Sequence, residues 1–474
     1  MKAIIRPLFL ILITAASSAF AFEAGEGVVD ISPPVGTALG GFHYGVVELP
    51  PAGTPAAPGA QPSPPAPAGA ADAPKAYKTV PRLSTGISTV PEVRALVLKR
   101  GEAVAAIISF DMLNVSFGMV QRVQAAVEKK CGIPASHVHI SASHSHSMPS
   151  IAFNRHWGDN NPAYEATVEA AMLQAVEKAK SDLAPATLRV GSAAVVGGNH
   201  NRTLRSGEKQ RTDDEFNADS TDADRWLDTK LRLLAIERKD RPALLWYNFS
   251  AHCTAVRGAL AGADWPGLVQ KLVREERKLS PAFLQGHIGD VEPMKADDTA
   301  RAVADAIYKA LETAQPVAVD TLCVETQSFG LSLDIETFKK QVAQKTPFPG
   351  GKPPDVTYAQ DWYDTFASHY DLTRTTLPII LSAIRLGDVA LLFHPAELYS
   401  YYGLAMQRGS PFKNTFVIGY ADGYVGYLPD PKAYERGEYA ASTVPTILNY
   451  PPFTPNAARE MAAAAIDLLK KLDK

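Results

Sequence analysis

Cysteine is scarce in this chain: three in 474 residues, at Cys131, Cys253 and Cys323. So small and odd a number excludes a disulfide framework, and folding must rest on a hydrophobic core. Charge of one sign is also missing. The 47 Lys and Arg stand against 50 Asp and Glu, with no basic block and no charged tail, which excludes the electrostatic footprint of a nucleic-acid binder. Long apolar runs are absent except at the start, where Lys2 and Arg6 precede Pro7 to Ala15 and Ala19-Phe20-Ala21 supplies small residues. That pattern is a secretory signal over residues 1–21, too short for a membrane anchor. The expectation is an exported protein, periplasmic or secreted, beginning near Phe22 and with no transmembrane segment.

The segment from Leu49 to about Lys78 is rich in Pro, Ala and Gly and holds almost no large apolar residue. It cannot contribute to a core and is expected as an insertion into the domain of residues 22–474. Regular patterns resume at Val93 to Leu98 and Val104 to Phe110, a hairpin turning at Gly101-Glu102. Helical spacing follows from Val120 to Lys130, and a strand from Val138 to Ser143. This strand–helix–strand order predicts a βαβ-type unit with Asp111 and His144 at one carboxyl-terminal sheet edge. Further strand pairs are expected at 231–236 with 243–249 and at 379–386 with 389–393; helices are expected at 163–183, 265–278, 298–314 and 456–472. Residues 205–225 read as a charged surface loop and 350–370 as irregular. No internal repeat is evident. The fold class is α/β, a mixed β-sheet core flanked by helices, with a site built from loops at strand ends.

Histidine is the informative residue. Of eleven in the chain, four lie between His137 and His146. In an extended segment His144 and His146 point to the same side. His252 follows the strand 243–249, and Glu397 follows 389–393. Together His144, His252 and Glu397 offer two imidazoles and a carboxylate, a donor set suited to zinc, with a tyrosine or water in the fourth position. A phosphatase-type metal site would need more strand-end aspartates than Asp111 and Asp290 supply.

Several short motifs carry a resemblance. They are Gly27–Pro34 with Gly40-Gly41, Ser141–Ser147 around His144 and His146, Asn201-Arg202-Thr203, and Ser250-Ala251-His252. Gly289-Asp290-Val291-Glu292-Pro293, Pro395-Ala396-Glu397 and Asp422–Tyr427 follow, with Tyr434 and Tyr439 beyond. In this order the chain resembles the neutral (alkaline, non-lysosomal) ceramidase family of zinc amidases. The resemblance implies that His144, His252, Glu397 and Tyr424 bind zinc, that His146, Arg202 and Tyr434 act around the scissile amide, and that Gly40 and Gly41 contact substrate. Two departures stand out: Glu292 occupies the place of a serine essential in the ceramidases, and the β-rich domain that follows the catalytic one in that family is not expected here. Glu292 is then a candidate general base, an extra metal ligand, or a charge that repels the headgroup a ceramidase accepts. The function implied is hydrolysis of a carbon–nitrogen amide bond in an N-acylated small molecule or lipid, ceramide-like or an N-acyl sugar. An ester hydrolase on the same site, and a non-catalytic binding relative that Glu292 would favour, are the alternatives.

Overall fold

The computed structural model describes residues 22–41, 46–48, 77–79, 82–155, 161–347 and 356–474. The leader read over 1–21 and the Pro/Ala-rich stretch over 49–76 lie outside the described residues. The stretch is flanked by short antiparallel strands, Val46–Glu48 and Tyr77–Thr79, paired with each other.

Among the described residues thirteen strands build the two large sheets. β1 (Phe22–Asp30), the hairpin β2 (Glu92–Arg100) and β3 (Ala103–Phe110), helix α1 (Phe117–Cys131), β4 (Val138–Ala142) and helix α2 (Pro162–Ser181) come first. β5 (Ala184–Ala194), the hairpin β6 (Lys230–Arg238) and β7 (Arg241–Phe249), α3 (Asp264–Arg277), β8 (Pro281–Gln285) and α4 (Ala296–Thr313) follow in the same order. β9 (Leu322–Ser332), the hairpin β10 (Thr376–Leu386) and β11 (Val389–Phe393), α5 (Ser400–Gly409), β12 (Asn414–Ile418) and α6 (Ala457–Leu472) repeat it once more. In each unit the strand closing the pattern runs parallel to the second hairpin strand: β4 beside β3, β8 beside β7 and β12 beside β11. The sequence reading found no repeat, because the recurrence is one of element order and pairing rather than of residues.

The first two units join through antiparallel β1 and β5 into a nine-stranded mixed sheet ordered β8-β7-β6-β5-β1-β2-β3-β4, with Gln315–Val317 added against β5. The third unit is a separate four-stranded sheet, β9-β10-β11-β12. Alternation along the strands explains the layering. Leu96, Leu98, Ile107, Leu234 and Trp246 meet Ile384, Leu391, Phe393 and Phe416 in one buried cluster between the sheets. The opposite faces, with Val93, Val97 and Ile108 or Leu233, Leu245 and Phe249, are covered by α1 and α2 and by α3 and α4 respectively. α6 covers the far side of the second sheet through Met461, Leu468 and Leu469. The mixed α/β core flanked by helices is therefore as expected, but it is split into two facing sheets.

The closing helices approach unusually near. A Cβ on Gly27 would lie 2.0 Å from the Ala175 carbonyl oxygen of α2, and one on Gly191 would lie 2.0 Å from that of Ala310 in α4. Glycine is required there so that each helix can rest on the first strand of its unit. Residues 356–365, read as irregular, are helical, and Trp362 is buried against Phe338. Arg225 also departs from its surface-loop reading: it is buried and pairs with Asp430, while Glu208 accepts hydrogen bonds from Lys432 and Arg436. These contacts fasten the charged 205–225 arm to the loop that follows β12.

Candidate metal centre and active site

His144 and His252 each sit just past a strand end. β4 is buried along its whole length and runs into Ser143, whose N–H donates to the Phe110 carbonyl at 2.9 Å. The next residue, His144, takes a left-handed backbone with φ 63°. This is rare for a residue with a Cβ and marks a locally strained position. The turn continues with Ser145 N–H donating to Met112 and His146 N–H to Cys253, which ties the end of β4 to the segment after β7. His252 lies in that segment.

The three imidazoles share one arrangement. His144 Nδ1 is 2.6 Å from the Leu113 carbonyl, His252 Nδ1 is 2.7 Å from that of Val291, and His146 Nδ1 contacts that of Gly41. A carbonyl can only accept, so each Nδ1 carries a hydrogen, and in the neutral ring Nε2 keeps the lone pair. Those nitrogens converge: the ligand atoms of His144, His146 and His252 all lie within 4.8 Å of one another. His144 Nε2 and His146 Nε2 are 3.0 Å apart, two acceptors facing each other, a contact that a cation held at the cluster would relieve. Burial holds His144 down to about 4 and His146 well below the ordinary imidazole range, so both are neutral as ligands must be.

Glu397, in the short strand after β11, closes the cluster. Its Oε2 is 3.3 Å from His252 Nε2 and 3.8 Å from His144 Nε2, and its Oε1 accepts from the Tyr424 hydroxyl at 2.6 Å. Burial disfavours its charge, but the neighbouring His144 and His252 and the Tyr424 hydrogen bond outweigh that and hold it ionised. The Tyr427 hydroxyl is 3.3 Å from His252 Nε2 and accepts from Arg202 Nη2 at 2.7 Å. Two imidazoles, a carboxylate and a phenol thus surround one point, with His146 beside it. The donor chemistry fits a divalent transition metal such as zinc.

A cavity of about 130 Å³ opens on this cluster, lined by His144, His146, Arg202, Glu397, Tyr424, Tyr427 and Tyr439, with Gly41, Asn154, Val444 and Ile447 completing it. Of the residues singled out in the sequence, His144, His146, His252, Glu397, Arg202, Gly41 and Tyr424 are brought together. Three are not placed as read. Tyr434, in the short helix Pro431–Glu435, packs against the hydrophobic core and does not line the cavity; Tyr439 does. Gly40 packs on Ser150 and Leu113, while Gly41 fits against His146 so tightly that a Cβ would lie 2.2 Å from its Cα. Glu292 is outside the lining: its Oε1 pairs with Arg202 Nη1 at 2.7 Å and its Oε2 accepts from Thr254. Burial opposes its charge, and His252, Arg202 and Thr254 together hold it below the usual carboxylate range. Tyr427, Tyr439 and Asn154 were not assigned roles from the sequence. For the tyrosines a signal existed, since Tyr424, Tyr427, Tyr434 and Tyr439 follow one another closely; only the three-dimensional turn selects among them.

Fold and site define a class: a two-sheet α/β sandwich whose loops bring histidines, a carboxylate and tyrosines to one buried centre. Residues 75–295 match the family described as neutral/alkaline non-lysosomal ceramidase, N-terminal, and the resemblance read from the motifs is borne out: that stretch belongs to this family. Among solved structures the chain is similar to the neutral ceramidase from Pseudomonas aeruginosa, with TM-score 0.68, 17% identity and coverage of 96% of this chain and 74% of that one. It is also similar to a ceramidase complexed with C2, with TM-score 0.65, 16% identity and coverage of 96% and 75%. At these identities the likeness is one of fold. No curated protein sequence matches the chain. Among the described residues no helix is long and apolar enough to cross a membrane.

Proposed function

We propose that this chain is an exported, zinc-dependent hydrolase of a carbon–nitrogen amide bond in an N-acylated substrate, a ceramide-like lipid or an N-acyl sugar. One observation carries the reading: three imidazoles give their Nδ1 hydrogens to backbone carbonyls and turn their Nε2 lone pairs, with Glu397, toward one point. Such orientation by carbonyls is how metal-ligating histidines are held. His144, His252 and Glu397 would hold the metal. For the fourth donor Tyr427 is better placed than Tyr424, whose hydroxyl is committed to Glu397. Held by these residues, zinc would supply Lewis-acid chemistry for activating water and polarising a carbonyl.

The remaining residues position and transfer. His146, with a neutral Nε2 on the cavity, is the group able to take a proton and return it to the leaving nitrogen. Tyr439 presents its phenol to the same space and serves as donor to the carbonyl oxygen as charge develops. Arg202 holds the Tyr427 hydroxyl and is itself gripped by Glu292 and the Gly289 carbonyl. Glu292 therefore acts as a positioning residue and not as the general base, since both its oxygens are occupied. The same carboxylate at a position where the ceramidases carry serine is the observation that favours a second reading, a relative that binds but does not turn over.

The test is metal analysis of the purified full chain, with turnover of N-acylated lipids and N-acyl amino sugars before and after chelation. About one equivalent of zinc, activity lost with chelator and restored by zinc, supports the hydrolase. Less than about half an equivalent rejects the metal centre. Zinc at full occupancy with no turnover of any amide or ester favours the binding relative.

A further inference from the structure

Asn154 lines the metal cavity and is 4% exposed, yet nothing in the reaction described above uses it. Its amide is fixed by a buried polar relay. Asn114 Oδ1 accepts the N–H groups of Ile151 and Ala152 at 3.0 and 2.8 Å, and its Nδ2 donates to Ser150 Oγ at 3.0 Å. Ser150 Oγ donates in turn to the Ala152 carbonyl at 2.7 Å. Asn154 Nδ2 then donates to both Ser150 Oγ, at 2.7 Å, and the Ala152 carbonyl, at 3.1 Å. Reversing the amide would set its oxygen against a carbonyl oxygen, so the orientation is dictated by the network. Both Nδ2 hydrogens are consumed. Asn154 Oδ1 accepts no hydrogen bond from any described residue, and with Asn154 in the cavity lining this fixed acceptor is left open to a donor on a ligand.

We propose that Asn154 determines substrate specificity: its Oδ1 accepts a hydrogen bond from a hydroxyl on the amine portion of the substrate. This rests on the N-acyl hydrolase reading. The rest of the lining supports a neutral donor over an acid. Arg202 is the only Lys or Arg among the described lining residues, and it is already paired with Glu292. Val444 and Ile447 on the cavity wall add apolar surface. A carboxylate on the amine portion would meet the Asn154 oxygen with no unpaired side-chain cation beside it.

The test separates recognition from turnover by using uncleavable sulfonamides. N-hexylsulfonyl serinol and N-hexylsulfonyl isopropylamine differ only in hydroxyl groups; N-hexylsulfonyl alanine carries a carboxylate. Their dissociation constants are measured by calorimetry on the zinc-loaded full chain and on Asn154→Leu. The parent is expected to bind the serinol compound about tenfold more tightly than the isopropylamine compound, one hydrogen bond's worth, and to bind the alanine compound most weakly. Asn154→Leu is expected to bring the first ratio close to one. A parent ratio near one, a ratio unchanged in the variant, or no binding of any of the three at millimolar concentration overturns the proposal. If Asn154→Leu does not fold, Ser150→Ala frees the Asn154 amide to turn, and the ratio is expected to fall several-fold; an unchanged ratio also overturns it. Hydrolysis of N-hexanoyl serinol is assayed alongside. A parent that discriminates among the sulfonamides but cleaves nothing sinks the hydrolase and leaves Asn154's role standing.

Discussion

His144 and His287 stand at equivalent places in the first two units, each two residues beyond the parallel strand, after Ala142 of β4 and after Gln285 of β8. Both are buried. His144 gives its Nδ1 hydrogen to a carbonyl and opens Nε2 to the shared centre. His287 instead has Nε2 3.2 Å from Asp228 Oδ2, too poorly aligned to count as a hydrogen bond, and its ring is enclosed by α5, where a Cβ on Gly403 would come within 2.1 Å. Burial resists the Asp228 charge, but Arg232 and then His287 hold the carboxylate ionised. The same residue type on the same framework is thus a ligand candidate in one unit and a core ion-pair partner in the next. Whether a strand-end histidine does chemistry depends on where its second nitrogen opens.

The largest effect that tests this contrast is loss of the centre. His144→Ala is expected to abolish zinc binding and lower turnover by about a thousandfold or more. His287→Ala is expected to keep its zinc but lose about 2–4 kcal/mol of stability in urea denaturation, from the cavity and the weakened partner of Asp228. If His287→Ala loses zinc and His144→Ala does not, the assignment of the two histidines is reversed. Next come the third unit's tyrosines. Tyr439→Phe should reduce kcat by about a hundredfold through loss of one hydrogen-bond donor, whereas Tyr434→Phe should change it less than about threefold. Equal losses would mean that lining the cavity is not what matters.

Smaller effects follow. Glu292→Gln keeps the shape but removes the charge that grips Arg202. Turnover should fall about tenfold with zinc retained, and a full loss comparable to His144→Ala would restore Glu292 as a direct participant. The smallest is seen only against pH. Asp111 in the first unit and Asp264 in the second are each pushed up from 3.8 to about 7, mainly by burial. Between those values the folded protein keeps protons that the unfolded chain releases. Each group's contribution is therefore complete below about pH 4, is lost as pH rises toward 7, and is constant above. His144, pushed down to about 4, works in the opposite sense, so the informative quantity is the difference between variant and parent. Asp264→Asn retains an acceptor for the Ala255 and Trp265 N–H groups and suits the left-handed backbone there, φ 59°. Its stability relative to the parent should rise between pH 4 and 7 by at most about 4 kcal/mol. A flat difference would show that Asp264 ionises normally.

Much of this was legible in one dimension. The β3–α1–β4 unit, the strand pairs and the positions of His144, His252 and Glu397 follow from short apolar runs ending in polar residues, a pattern set by local burial. What was not legible depends on packing between distant parts. Nothing in β9 to β12 announces a second sheet, because the apolar pattern of a strand does not say which sheet it joins. Tyr424, Tyr427, Tyr434 and Tyr439 look interchangeable until the helix Pro431–Glu435 turns Tyr434 toward the core. Glu292 offered itself as a base because its partner, Arg202, lies far away in sequence. Asn154 carried no motif; its meaning resides in the hydrogen bonds of Asn114 and Ser150.

The three-unit layout also governs how this protein can come to hold a metal. His144 and Glu397 lie more than half the chain apart, one donor from each of the first two units and the carboxylate from the third. No unit alone carries a complete set, so an isolated unit made early in synthesis has at most two weak donors to offer. Strong coordination of a metal at this centre would arise only after the last sheet has docked, and contacts so distant in sequence slow folding. Metal uptake would then serve as a clock for the final assembly step, and scarce zinc would leave the docking of the third unit the least secured part of the molecule.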